Sequence, residues 1–320
     1  MPARPDVSVV IPTRNRWRLL STAALPSALG QEGVDLEVVV VDDGSTDDSA
    51  ERAESLDDPR VRLLRHERRR GVAAARNTGI AAARGAWLAF LDDDDLWSPT
   101  KLQTQLAAAH ALGASLVFGG VVVLDERLEV DHVTRPAVDT GATLASDLLE
   151  RNTIPAGSSN VLVATHLVRD AGGFDERLTY TEDWDLWLRI AGSATAAALQ
   201  ELLVAYVRHP LATQFAGARA VRELRYFAAK HRERGLTADP ARFLRWIASE
   251  HRAAGRRSQA ASTYFLSGVA LRRPGHLVHA AASVLDANGS GLLGGFREVP
   301  ARVELPPEPP WLEPYRRSLG

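Results

Sequence analysis

Four consecutive aspartates, Asp92–Asp95, close the apolar run Trp87–Leu91. An isolated acidic run usually reads as a solvated loop. Here it ends a strand-like segment, so several carboxylates collect on one rim, where their repulsion is costly unless a cation sits among them. Oxygen ligands at this density suit Mg2+ or Mn2+, and such an ion in turn clamps a diphosphate. A second acidic turn, Asp42-Asp43-Gly44-Ser45, closes the run Leu36–Val41. Asp, Gly, Ser and Thr also build turns and caps. The reading is therefore double: Ser45 or Thr46 caps the following helix, while Asp43 accepts a hydrogen bond from a base N–H.

Two further segments carry chemistry-bearing residues. Gly71-Val-Ala-Ala-Ala-Arg76-Asn77-Thr-Gly79 lies between the acidic turns; Arg76 and Asn77 are its candidate nucleotide contacts, since arginine suits phosphate and planar base contacts. Thr181-Glu182-Asp183-Trp184-Asp185-Leu-Trp187 places three carboxylates in one helical start. A helix N-terminus favours acids through its dipole, which accounts for the pattern without chemistry. Beside a metal site, one of these carboxylates becomes a candidate general base, and Trp184 or Trp187 offers an apolar face to a sugar ring.

These residues need a scaffold that brings them together. Val7–Ile11, Leu36–Val41, Val61–Leu64, Trp87–Leu91 and Ser115–Leu124 read as strands. Arg16–Leu29, Asp47–Ser55, Val72–Ala83 and Pro99–Leu112 read as helices between them. That alternation predicts an α/β fold with a mostly parallel, Rossmann-like sheet flanked by helices. Ligands in such sheets sit beyond the carboxyl ends of the strands. Pro12-Thr13-Arg14-Asn15, Asp42–Ser45 and Asp92–Asp95 each follow a strand and should converge there. The catalytic domain is expected over 1–213. A helical extension should cover 214–290 and an extended, Pro/Gly-rich tail 291–320.

Composition narrows the classes. The 320 residues are 45% hydrophobic, enough for a substantial core. The chain has no cysteine, which excludes disulfides, thiolate metal sites and cysteine nucleophiles. A formal charge of −2 argues against a nucleic-acid partner. No signal peptide and no membrane-spanning apolar run is visible, so a cytoplasmic protein is expected. Arg219, Arg222 and Arg225, then Arg252, Arg256 and Arg257, read first as solvated helix faces and second as a peripheral contact with the inner face of the membrane.

Five segments together resemble the family 2 glycosyltransferases of GT-A fold: Val9–Asn15, Val39–Asp47, Ala75–Ile80, Leu91–Asp95, and Gly173–Glu176 with Glu182-Asp183. The match in order and spacing covers roughly residues 6 to 210. The resemblance implies an inverting transfer from a nucleotide-diphosphate sugar, UDP- or dTDP-linked, to an acceptor hydroxyl. It implies that Pro12, Thr13 and Arg14 line the nucleotide pocket and that Asp43 pairs with uracil or thymine. Asp92-Asp93-Asp94 would be the DXD motif, with Asp94 on Mn2+ or Mg2+ and Asp93 near the ribose and diphosphate. Asp183 would be the base, with Glu182 its neighbour at the acceptor. Arg208 and His209 match a late segment that grips the diphosphate, although the serine often found after that histidine is replaced by Pro210-Leu-Ala-Thr213. The acceptor is not specified; glycan, lipid-linked glycan, natural product and protein stay open. A sugar nucleotidyltransferase is disfavoured because Pro12–Arg16 lacks glycines. A silent binding module is disfavoured because Asp43, Asp93, Asp94 and Asp183 are all present.

Overall fold

The computed structural model describes residues 4–125, 127–137, 140–208, 218–253, 255–270, 275–277, 279–280 and 309–315. The chain forms two compact units. One comprises Met1–Arg208 with Leu305–Gly320, the other His209–Glu304.

In the first unit the elements run β1 (Val7–Thr13), α1 (Trp17–Leu19), α2 (Leu25–Leu29), β2 (Leu36–Asp42), α3 (Ser49–Glu54), β3 (Val61–Arg65), α4 (Val72–Ala82), β4 (Trp87–Phe90), β5 (Leu96–Trp97) and α5 (Lys101–Leu112). They continue with β6 (Leu116–Leu124), β7 (Val130–Thr134), α6 (Thr140–Glu150), β8 (Leu162–Ala164), α7 (Thr165–Asp170), α8 (Glu182–Ile190) and β9 (Ala196–Val207). The sheet order is β3-β2-β1-β4-β8-β6-β9-β5, with β7 on β6. Strands β3, β2, β1 and β4 are mutually parallel, as the strand–helix alternation predicts.

Burial explains why these runs are continuously apolar. Val38 and Val40 of β2 join one core cluster with Val7, Val9 and Ile11, while Val39 and Val41 pack with Ala75 of α4 on the other face. A strand covered on both faces has no polar side to show. Beyond β4 the sheet changes direction. β8 runs antiparallel to β4 and β6, and β9 is parallel to β6 but antiparallel to the short β5. That last pairing returns the end of β9 to the aspartate run.

The helix expected over Arg16–Leu29 is interrupted by a π turn, Leu20–Ala24. Pro26 has no amide proton to donate back one turn. The ladder instead closes with Leu25 N–H reaching Leu20 O, five residues back.

In the second unit, α9 (Ala218–Lys230), α10 (Pro240–Ala253) and α11 (Arg257–Ala270) follow one another. Ala248, Tyr264 and Ala280 form a small buried cluster there. Of the tail expected to be extended, Pro309–Tyr315 is described. It forms a 3-10 turn, Pro310–Leu312, and fully buries Leu312 against Ala23, Leu96, Val122 and Ala205 of the first unit. No helix among the described residues is long and apolar enough to cross a membrane.

Candidate active site

The parallel register aligns Thr13 with Asp42 and Val10 with Phe90. The segments after β1, β2 and β4 therefore leave the sheet side by side. Asn15 laces the first two: its amide donates to Ser45 Oγ at 2.9 Å, and its side-chain carbonyl accepts the Thr46 amide at 2.8 Å. Asn15 adopts a left-handed conformation, φ 55°, to do so. Gly44 is required at its place. Its φ is +69°, and a Cβ would meet the backbone of Arg68 and Arg69 at 2.6 Å. Ser45 does not cap α3 but donates to Asp42; within that turn Asp47 accepts the Ser49 amide instead.

Asp43 is buried and well occupied. Its Oδ1 accepts the His66 ring N–H at 2.8 Å and the Arg70 amide at 2.7 Å, and its Oδ2 accepts the Gly71 amide at 2.8 Å. A carboxylate offers about four acceptor positions, so Oδ2 retains one. His66 also lies 2.8 Å from Thr78 Oγ1 on α4. The loop 66–71 thus fixes the carboxylate in place.

At the aspartate run, Thr13 Oγ1 donates to Asp93 at 2.8 Å. One nitrogen of Arg16 bridges Asp93 at 3.0 Å and Asp94 at 2.7 Å. Burial, aided by the charge of Asp94, pushes the Asp93 carboxyl up to about 7, against the pull of Arg16. Asp95 is wholly buried; it accepts the Val207 amide at 3.1 Å, and its second oxygen has no hydrogen-bond partner. Burial and the charges of Asp94 and Asp92 hold its carboxyl well above the ordinary range. Tyr206, next along β9, stands in the field of the same group. Its phenol is raised first by burial and then by Asp95, Asp94, Asp92 and Asp183.

Arg76 ties the run to the acid pair before α8. It is 3% exposed and donates to Asp92 at 2.5 Å and Glu182 at 2.8 Å, with Phe174 5.3 Å below the guanidinium. Burial outweighs that ion pair, and with the charge of Asp183 it lifts Glu182 to about 8. The Asp183 carboxyl is also raised, by burial above all, although the Trp184 amide donates to it at 2.6 Å. Asn152 Nδ2 reaches the other oxygen at 3.4 Å. That oxygen lies where a Cβ on Gly157 would stand.

Several of the expected site residues also have partners within the protein. Trp187 is fully buried, and Trp184 is 7% exposed with its indole N–H donated to Leu148 O at 2.8 Å. Both pack in the core, because the helix that carries Asp183 turns its apolar stripe inward. Asn77, read as a nucleotide contact, instead brackets the 173–176 turn, donating to Phe174 O and accepting the Phe174 amide. Arg76 commits two nitrogens to carboxylates. Arg208 pairs with Asp131 at 3.2 Å, and His209 lies outside the described residues. Pro12 is buried within β1, and Arg14 at its end has a buried Nε without a hydrogen-bond partner. Arg16, His66, Asn152, Gly157 and Tyr206 were not singled out from the sequence. No spacing rule marks them; only Tyr206 left a trace, as a polar-tipped residue between two buried ones at a strand end.

Among the described residues, no group of three His, Cys, Asp or Glu side chains is arranged to hold a metal ion by itself. The rim nevertheless fits a divalent ion of the kind that takes one or two carboxylates and completes its shell from substrate phosphates and water. Asp93 and Asp94 already turn oxygens onto a single cation, the Arg16 guanidinium, and their donor atoms are hard.

Residues 8–153 match the model of the glycosyl transferase family 2. The chain is 37% identical over 190 residues to the succinoglycan biosynthesis protein ExoO of Rhizobium meliloti (strain 1021), covering 57% of this chain and 54% of that protein. It thus spans about half the length of that relative. It is 30% identical over 184 residues to the UDP-Glc:alpha-D-GlcNAc-diphosphoundecaprenol beta-1,3-glucosyltransferase WfgD of Escherichia coli, covering 58% of this chain and 69% of that one. The crystal structure of S. aureus TarS 1–349 in complex with UDP-GlcNAc superposes with a TM-score of 0.56 at 19% identity, over 86% of this chain and 79% of that one. At that identity the likeness is one of fold.

Proposed function

Since the chain belongs to the glycosyl transferase family 2, we propose that it moves a sugar from a UDP- or dTDP-linked donor to an acceptor hydroxyl with inversion. The observation that carries this reading is the Arg76 clamp. It brings Asp92 and Glu182, ninety residues apart in the chain, onto one guanidinium, and so sets Asp183 beside the aspartate rim. A UDP-sugar donor is supported by two similar proteins, one a UDP-glucose transferase and one bound to UDP-GlcNAc.

In this reading the free position on Asp43 Oδ2 accepts the imide N–H of uracil or thymine. Thr13, Arg14 and Asp93 border the ribose and diphosphate, where the orphaned Arg14 Nε–H has an acceptor to gain. Asp94, with Asp93 beside it, would hold Mn2+ or Mg2+. When bound, that ion neutralises charge on the departing diphosphate. Asp183, ionised, takes the proton from the acceptor hydroxyl as that oxygen attacks the anomeric carbon. The diphosphate leaves from the opposite side, which inverts the centre.

Thermal melts with UDP-glucose, UDP-GlcNAc and dTDP-glucose, each with and without Mn2+, test the donor site, since a bound ligand stabilises the fold by mass action. A Mn2+-dependent rise with a nucleotide sugar is expected. No rise with any of them, or an equal rise for Asp43→Ala, overturns the reading.

A further inference from the structure

The two units differ sharply in charge. Residues 209–304 hold fifteen arginines and lysines against seven aspartates and glutamates, a formal +8, so the remainder of this −2 chain carries −10. Such asymmetry points to a polyanionic partner for the helical unit. On α10, Arg242, Arg245, Trp246 and Arg252 share one helix face. Arg242 and Arg245 are exposed and Arg252 half-buried, and Trp246 is 47% exposed. The opposite face, Leu244, Ile247 and Ala248, is fully buried. On α11, which packs against α10, Phe265 is 54% and Val269 57% exposed.

We infer that the exposed face of α10 docks on an anionic lipid surface, with Phe265 and Val269 of the adjoining α11 as further exposed apolar side chains of the unit. Arginines around a tryptophan are the composition of helices that lie in a bilayer interface, with the charges at the headgroups and the indole at the acyl boundary. Charge complementarity selects this occupant over the others. A second copy would set one +8 unit against another. A nucleic acid would satisfy the arginines but leave Phe265 and Val269, which make no phosphate contact, against a hydrated backbone. Anionic lipid takes both. The inference stands apart from the donor-site reading, because it uses no residue of the first unit.

The test is co-sedimentation of the full chain with vesicles of phosphatidylcholine alone and of phosphatidylcholine containing about 30% phosphatidylglycerol. Binding only to the anionic vesicles is expected, with release at about 0.5 M sodium chloride, where screening shortens to a few ångströms. Arg242→Gln with Arg245→Gln should weaken partitioning about thirtyfold, and Trp246→Ser should weaken it further. Melting followed by circular dichroism checks that these surface variants stay folded. Failure to bind anionic vesicles, equal binding to neutral ones, undiminished binding by folded variants, or preference for single-stranded DNA over vesicles would each overturn the inference. None of these results bears on nucleotide-sugar binding, which is read separately by the melts with donor.

Discussion

Asp183 is the residue on which the proposed chemistry turns. Its carboxylate sits between the Trp184 amide, Asn152 and the Cα of Gly157, and burial raises its proton affinity. Asp183→Asn should leave donor-induced stabilisation intact and lower turnover by about a thousandfold; near-normal turnover would show that the base lies elsewhere. The wild-type rate should also fall on the acid side at a pH above that of an exposed aspartate. Glu182 makes a separate prediction about stability. Its ordinary value is 4.5, and in the fold it is held at about 8. Between those values the folded chain binds more protons than the unfolded one. The stabilisation is therefore complete at low pH and is lost as pH rises toward 8. Urea melts across that range should show a decline in the wild type that is smaller in Glu182→Gln, where the raised Asp93 carboxyl still contributes its own. Arg76 serves two buried or half-buried acids at once. Arg76→Ala should cost about 3 kcal/mol or more, because the Asp92 carboxylate loses its counter-charge and buried Glu182 its hydrogen-bond donor in a desolvated place.

At the scale of elements, the site depends on turns that hold unusual backbone. Ala156 and Gly157 both have positive φ, 54° and 50°, where the chain bends beneath Asp183. Gly157→Ala adds a methyl where the Asp183 oxygen lies, and a conformational cost of about 1 kcal/mol. Its expected signature is a fall in turnover with little change in donor affinity. A loss of both in step would show that the turn merely supports the fold. The aspartate run is positioned from three elements: β1 through Thr13, α4 through Arg76, and β9 through the Val207 amide on Asp95. The third of these arises only because β9 pairs with the short β5.

For the whole molecule, the C-terminal segment is part of the unit that holds the site. Leu312 is fully buried, with Trp311 and Tyr315 packed around the same cluster. Leu312→Ala should destabilise that unit by about 3 kcal/mol through lost burial and a residual cavity, and ending the chain before Pro309 should cost more. Differential scanning calorimetry would read both; an unchanged melting transition would mean that the segment is dispensable. The charge division between the units is likewise a property of the whole chain, invisible in a net of −2.

What could be read from the amino-acid order alone was local and periodic. The all-buried strands Val7–Thr13 and Leu36–Asp42, the alanine-rich α4 and the acidic turns after β2 and β4 announce themselves because strand burial and turn chemistry act between near neighbours. The convergence of those turns followed from parallel pairing. The second half of the sheet did not announce itself. β5 has two residues and β8 three, too short for any periodicity to register, and they form because the neighbouring strands supply their hydrogen bonds. The contacts of Trp184 and Asn77 are illegible for the same reason: an indole or a carboxamide serves a core as readily as a ligand, and their partners, Leu148 and Phe174, lie far along the chain. The residue types that the site would need were legible in one dimension. Which of them meet a ligand and which are spent holding the others depends on contacts between distant segments, and only the folded chain brings those segments together.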